Sequence, residues 1–259
     1  DKEIVPNDDN SRADVFVRDN VSGAVSLASQ PNPGVPVGTD PGHSHLDPNA
    51  ISANGRFIAF VSNAKTLVPG INTASLGLYD NLYVHDLTAH RTILASVAAD
   101  GTNGANGSCR DAVLSADGRF LAFVSTANNL VLNDRNRSDD VFIRDLQLGT
   151  TVLASVNQYG SAGNSRSWRP SLSDDGQWVV FESFATDLVV QVLPGGANVF
   201  ARDLQNQKTR LLSGTLRGST GGRGDSVNPI ISADGRWVGF SSNAADLVAP
   251  LLGRFVLGQ

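Results

Sequence analysis

The chain has 259 residues, a single cysteine (Cys109) and no methionine. One cysteine excludes an internal disulfide and any cysteine-rich metal motif, so a hydrophobic core alone must hold the fold. Cys109 itself reads as a small residue half-buried near a strand. Charged residues make up only 17% of the chain, and the net charge is −5. The basic residues are scattered, without the stripe or patch that a nucleic-acid binder needs. No apolar run is long enough for a membrane-spanning helix, and no stretch of the given chain reads as a signal peptide. No segment keeps a helical hydrophobic period between caps, because glycine and proline recur too often. Gly-x-Ser-x-Gly, a P-loop and His-Glu-x-x-His are also missing, which removes the commonest hydrolase, nucleotide and zincin signatures.

What is present is a repeat. SANGRFIAFVS starts at Ser52, SADGRFLAFVS at Ser115, SDDGQWVVFES at Ser173 and SADGRWVGFSS at Ser232. Their turn glycines, Gly55, Gly118, Gly176 and Gly235, stand about 60 residues apart, the signature of a chain built from copies of one supersecondary unit. A second element keeps the same beat: VFVRD, LYVHD, VFIRD and VFARD end at Asp19, Asp86, Asp145 and Asp203. Each unit reads as four short strands, here termed a to d. Strands a and b meet at Ala-Asp-Gly or Ala-Asn-Gly, and c and d at polar turns. Along strand b, Phe120, Ala122 and Val124 point to one side, and Leu121, Phe123 and Ser125 to the other. Both faces are largely apolar, so each sheet must be covered on both.

Small four-stranded antiparallel sheets stacked on two neighbours predict an all-β fold, a β-propeller forming one domain over residues 1–259. The units fall at about residues 49–111, 112–169 and 170–228, with a composite blade built from 229–252 and 4–30. This arrangement predicts four blades closed by a clasp between N- and C-terminal strands. Arg254 to Leu257 can also be read as a degraded strand c, which makes a fragment of a larger ring the alternative.

The repeated Ser-x-Asp-Gly-Arg hairpin resembles that of the TolB-like propeller family, over nearly the whole chain. Residues 129–145, NLVLNDRNRSDDVFIRD, look most like exported bacterial repeat proteins of that family. The resemblance implies the propeller fold. It leaves function open, because related propellers serve as periplasmic partners, as gates on peptidases and as lyases.

Three groups of residues carry candidate chemistry. Asp134, Asn136, Ser138 and Asp140 alternate oxygen side chains before strand c, as a Ca²⁺ loop requires. Asp8, Asn10 and Asp14 keep part of the pattern in the first unit. The competing reading is an Asx-rich turn, since the residue opening strand c is Asp14, Asn81, Asp140 or Asn198 in every unit. His43 and His45 share a face of an extended segment and are candidate ligands for a metal, with Asp40 or Asp47 as a third. Two solvated loop histidines are the bland alternative. Arg223-Gly224-Asp225 spells an integrin-type tripeptide in a glycine-rich loop that already needs glycine. The strand-ending aspartates recur in every unit, which favours turn-making over catalysis.

The leading functional expectation is a non-enzymatic binding or scaffold propeller of an exported, periplasmic or extracellular protein. It would recognise a protein, peptide or envelope glycan through its loops or channel mouth. The alternatives are a metal-assisted polysaccharide lyase or hydrolase using His43 and His45, and an architectural domain of a larger surface protein. Ca²⁺ is the one cofactor expectation.

Overall fold

The computed structural model describes residues 12–33, 35, 42–71, 79–191, 193–216, 218 and 220–248. All regular elements among them are strands. The first complete blade has the order β3 (Ser44–His45), β4 (Phe57–Ser62), β5 (Asn81–Asp86), β6 (Arg91–Leu94). The second holds β7 (Cys109–Leu114), β8 (Phe120–Ser125), β9 (Asp140–Asp145) and β10 (Thr150–Leu153). The third holds β11 (Ser167–Leu172), β12 (Trp178–Ser183), β13 (Asn198–Asp203) and β14 (Lys208–Leu211). Each is an antiparallel meander in chain order, the architecture of a propeller blade.

Two half-blades flank them. β1 (Phe16–Arg18) pairs with β2 (Val25–Leu27), and β15 (Ser226–Ile231) pairs with β16 (Val238–Ser242). They are separate two-stranded sheets, so the composite blade and strand clasp expected from the sequence are not among the sheets of the described residues.

The repeated hairpin follows from its own side chains. In the second blade the Ser115 hydroxyl accepts from Phe120 N at 2.9 Å and donates to Asp117 Oδ1 at 2.7 Å. Asp117 Oδ1 in turn accepts from Arg119 N at 2.9 Å. Gly118 sits at φ 74°, which a β-carbon disfavours. Ser52/Asn54, Ser173/Asp175 and Ser232/Asp234 rebuild the same turn. The arginine after the glycine reaches the aspartate that ends strand c: Arg56 meets Asp86 at 2.6 Å and Arg119 meets Asp145 at 2.7 Å. Asp145 Oδ1 also accepts from Gln147 N and Leu148 N in the c–d turn. The strand-ending aspartates therefore build turns.

Strand b serves two cores at once. Ala59 and Val61 of β4 pack with Leu121 and Phe123 of β8, while Ala122 and Val124 of β8 pack with Val179 and Phe181 of β12. Ile58 and Phe60 face the first half-blade, with Val15 and Ala28. Each fully buried large side chain contributes about 1.5–3 kcal/mol. A stacked aromatic pair across strands b and c recurs at Phe60/Tyr83, Phe123/Phe142 and Phe181/Phe200, with centroids 5.6, 5.6 and 5.9 Å apart. Between blades, the ring of Phe57 lies over Gly118, that of Phe120 over Gly176 and that of Trp178 over Gly235. At the outer half-blade the series stops. Trp237 is 64% exposed, and Gly55 has open space where a ring would lie.

Candidate binding site on the inner strands

Strand a lies innermost in each blade, and β7, β11 and β15 are consecutive neighbours. Each carries a β-bulge at the same point: between Arg110 and Val113, between Trp168 and Ser171, and between Val227 and Ile230. Within the bulges Asp111, Arg169 and Asn228 adopt left-handed backbone, with φ of 55°, 51° and 56°. The first unit has its left-handed residue one position later, at Asn49 with φ 66°. Asn and Asp tolerate this conformation, but for Arg169 it costs about 1–2 kcal/mol. A bulge frees one residue from the ladder and re-aims its side chain. Three such residues, far apart in sequence, thus line one cleft together with Asn49, Pro48 and Ile230, enclosing about 400 Å³.

The cleft wall is mostly apolar, and its few polar side chains are internally braced. Arg169 Nη1 donates to Asn228 Oδ1 at 2.7 Å and to Glu182 Oε1 at 3.2 Å. Glu182 Oε1 also accepts from the Asn228 backbone N–H. Glu182 is fully buried on β12, and its Oε2 finds no partner among the described residues. The corresponding residues of β4 and β8 are Val61 and Val124. A carboxylate here takes the place of a core valine and holds an arginine whose side chain is still 53% exposed. On the other wall, burial pushes the Asp111 carboxyl above its ordinary value, with the nearby Arg110 opposing. Arg110 is itself held by Asp139 at 2.8 Å. Asp47 Oδ2 accepts from Ala112 N at 3.0 Å, tying the first unit to the bulge of the second.

The residues expected from the sequence fall elsewhere. His43 and His45 flank a buried Ser44 on β3, and His45 is exposed. His43 Nε2 lies 3.4 Å from Arg12 Nη1, and its backbone N–H donates to Asn63 Oδ1. Asp40 lies outside the described residues, and Asp47 is occupied at Ala112. Among the described residues no three His, Cys, Asp or Glu side chains gather into one group, so His43 and His45 gain no third ligand of these types. Asp225 of the Arg-Gly-Asp tripeptide accepts from Ala197 N at 2.8 Å, so it is a loop brace. Asp8 and Asn10 lie outside the described residues. Asp14 Oδ1 accepts from Ser29 at 2.7 Å. Asp134 and Asp140 are buried, Asn136 Oδ1 accepts from Ser138 N at 2.8 Å, and Asp140 Oδ1 accepts from Ser155 at 2.6 Å. Asp111, Arg169, Asn228 and Glu182 are not among the residues expected from the sequence. The signal that finds them is variability: each replaces a residue of different chemistry at the same register of another unit.

No known family model matches the chain, and no curated protein matches it. Solved structures do. TolB from Acinetobacter baumannii aligns at 16% identity and TM-score 0.45, over 90% of this chain and 46% of its own. An oligogalacturonate lyase from Vibrio parahaemolyticus aligns at 13% identity and TM-score 0.46, over 90% and 54%. Dipeptidyl peptidase 4 from Porphyromonas gingivalis aligns at 13% identity and TM-score 0.48, over 91% and 34%. This chain spans about half the length of the TolB structures it aligns with. All are similar to it in blade architecture at low identity. Among the described residues no helix is long and apolar enough to cross a membrane.

Proposed function

We propose that the chain is a non-enzymatic binding module of an exported protein, periplasmic or extracellular, and that it takes an extended peptide or glycan segment in the cleft of the inner strands. One observation supports this reading: three units share a bulge at one register but fill it with different side chains, Asp111, Arg169 and Asn228, which line one cavity. A site has to depart from the repeat, since four identical inner strands present nothing distinctive. The group set suits recognition of a polar chain: a carboxylate, a guanidinium and amides offer acceptors and donors, and Pro48 and Ile230 supply apolar walls. The low charge and the absence of methionine fit an exported protein.

The test is a screen of the protein against a peptide library and an oligosaccharide array, followed by titration of the hits with Asp111→Asn and Arg169→Gln. Removing one buried charge-assisted hydrogen bond weakens binding by about tenfold or more. Hits that bind both variants as tightly as the parent place the ligand elsewhere and reject this cleft as the site.

A further inference from the structure

Four residues occupy the same place at the start of strand c, and all four accept a hydrogen bond from the serine that follows strand d. Ser29 donates to Asp14, Ser96 to Asn81, Ser155 to Asp140 and Ser213 to Asn198, at 2.7, 2.8, 2.6 and 2.9 Å. One side-chain oxygen is thus all the blade needs. The second side-chain atom is where the units differ. In Asn81 and Asn198 it is an amide nitrogen, which donates to the backbone oxygens of Tyr79 and Gly196. In Asp14 and Asp140 it is a carboxylate oxygen, buried and without a partner among the described residues. Asparagine completes the fold at this position. Aspartate adds only a negative charge, and a buried unpaired charge is costly.

The aspartates also coincide with a sequence pattern. Asp140 ends the 134–140 loop, which opens on Asp134 and passes through Asn136 and Ser138. The stretches preceding Asn81 and Asn198 offer no such opening acid. Asp134 is buried as well, with its Oδ1 unpartnered, and the same loop places Asn136 against Gly163, to whose oxygen its Nδ2 donates at 2.8 Å. Two buried carboxylates of one short loop therefore each leave one oxygen without a partner, and the same loop carries the Asn136 amide oxygen, which accepts from Ser138 N. Each unpartnered oxygen carries a desolvation cost. A hard dication relieves both costs at once, and calcium accepts mixed carboxylate, amide, backbone and water oxygens in a flexible shell.

We propose that Asp134 and Asp140 bind a calcium ion, which locks the 134–140 loop onto the edge of the second blade. Zinc is disfavoured by the absence of nitrogen or sulfur donors in the loop. Asp14 repeats the arrangement in the first unit, so the test uses Asp14→Asn as its background. After chelator treatment, the Asp14→Asn protein is titrated with calcium chloride by calorimetry, and its melting temperature is measured with calcium and with chelator. One ion binds, and calcium at a hundredfold its Kd raises the melting temperature by about 5–10 °C. Adding Asp140→Asn abolishes the heat and makes the two melting curves coincide. The variant still folds, because asparagine fills this position in two native blades; a melting transition in chelator no lower than that of the background verifies this. Absence of calcium heat in the Asp14→Asn protein overturns the proposal, and so does a full calcium response retained in the Asp14→Asn/Asp140→Asn protein.

Discussion

Replacing Gly118 by alanine tests how the blades are stacked. Two costs meet at this position. At φ 74° an L side chain is strained, at about 1–2 kcal/mol. A β-carbon there would also lie 2.2 Å from Phe57 Cδ2 and 2.9 Å from Cγ, far inside van der Waals contact. Phe57 cannot swing freely, because Arg56 also lies over the ring, 4.8 Å from its centroid, and is itself held by Asp86. Forcing that ring aside adds an overpacking cost of about 1–3 kcal/mol. Gly55 is the internal control: it occupies the same turn at φ 68°, but a β-carbon added there would meet nothing within 4 Å. Gly55→Ala therefore carries the backbone cost alone. Urea denaturation should give a loss of about 1–2 kcal/mol for Gly55→Ala and about 2–5 kcal/mol for Gly118→Ala, with unchanged m-values. Gly176→Ala, with Phe120 at 2.1 Å, should match Gly118→Ala. Phe57→Ala combined with Gly118→Ala should lose less than the sum of the two single changes, because the ring that clashes is gone. Equal losses for Gly55→Ala and Gly118→Ala would refute the ring-on-glycine contact as a stiff element of blade stacking.

Two further outcomes follow from the charged groups. Arg169→Ala strands the buried Glu182 carboxylate and should destabilise the chain by about 2–3 kcal/mol, below the full cost of breaking a buried pair because Arg169 is half-exposed. Restoring valine at that position, as Arg169→Ala/Glu182→Val, should recover at least half of the loss in the same urea titration, and a double variant no more stable than Arg169→Ala would count against the brace. The arginine pairs at the blade ends make stability acid-sensitive. The hydrogen bond from Arg56 holds Asp86 down at about 2, below its unfolded value near 4. A depressed carboxylate stabilises the fold above the unfolded value and loses that contribution as pH falls towards 2. Melting temperature should accordingly drop between pH 4 and 2, and Asp86→Asn should flatten part of that drop while lowering stability at pH 7.

The repeat, the strands, the hairpin chemistry and the two-sided burial of strand b are legible in the chain alone. The reason is that each is encoded locally and stated four times over: Ser115, Asp117, Gly118 and Arg119 build their turn from residues within reach of one another, and Phe120 to Ser125 show both apolar faces in a single run. The turn-making role of the aspartates that end strand c is legible on the same ground. The cleft is not. Asp111, Arg169 and Asn228 are about 60 residues apart, and nothing local says that strand a is the innermost or that each copy bulges at one register. Glu182 looks like an ordinary strand residue until its burial and its hold on Arg169 are seen. The acidic loop falls between these cases. Its alternating oxygens are visible in sequence, but the decisive contrast needs hydrogen bonds: Asn81 and Asn198 use both side-chain atoms, whereas Asp140 leaves one unused. The sequence by itself determined the blade, because a blade's pattern is short-range and repeated. Only the tertiary structure decided which side chains of different units share a cavity, because that depends on how whole sheets are arranged against one another.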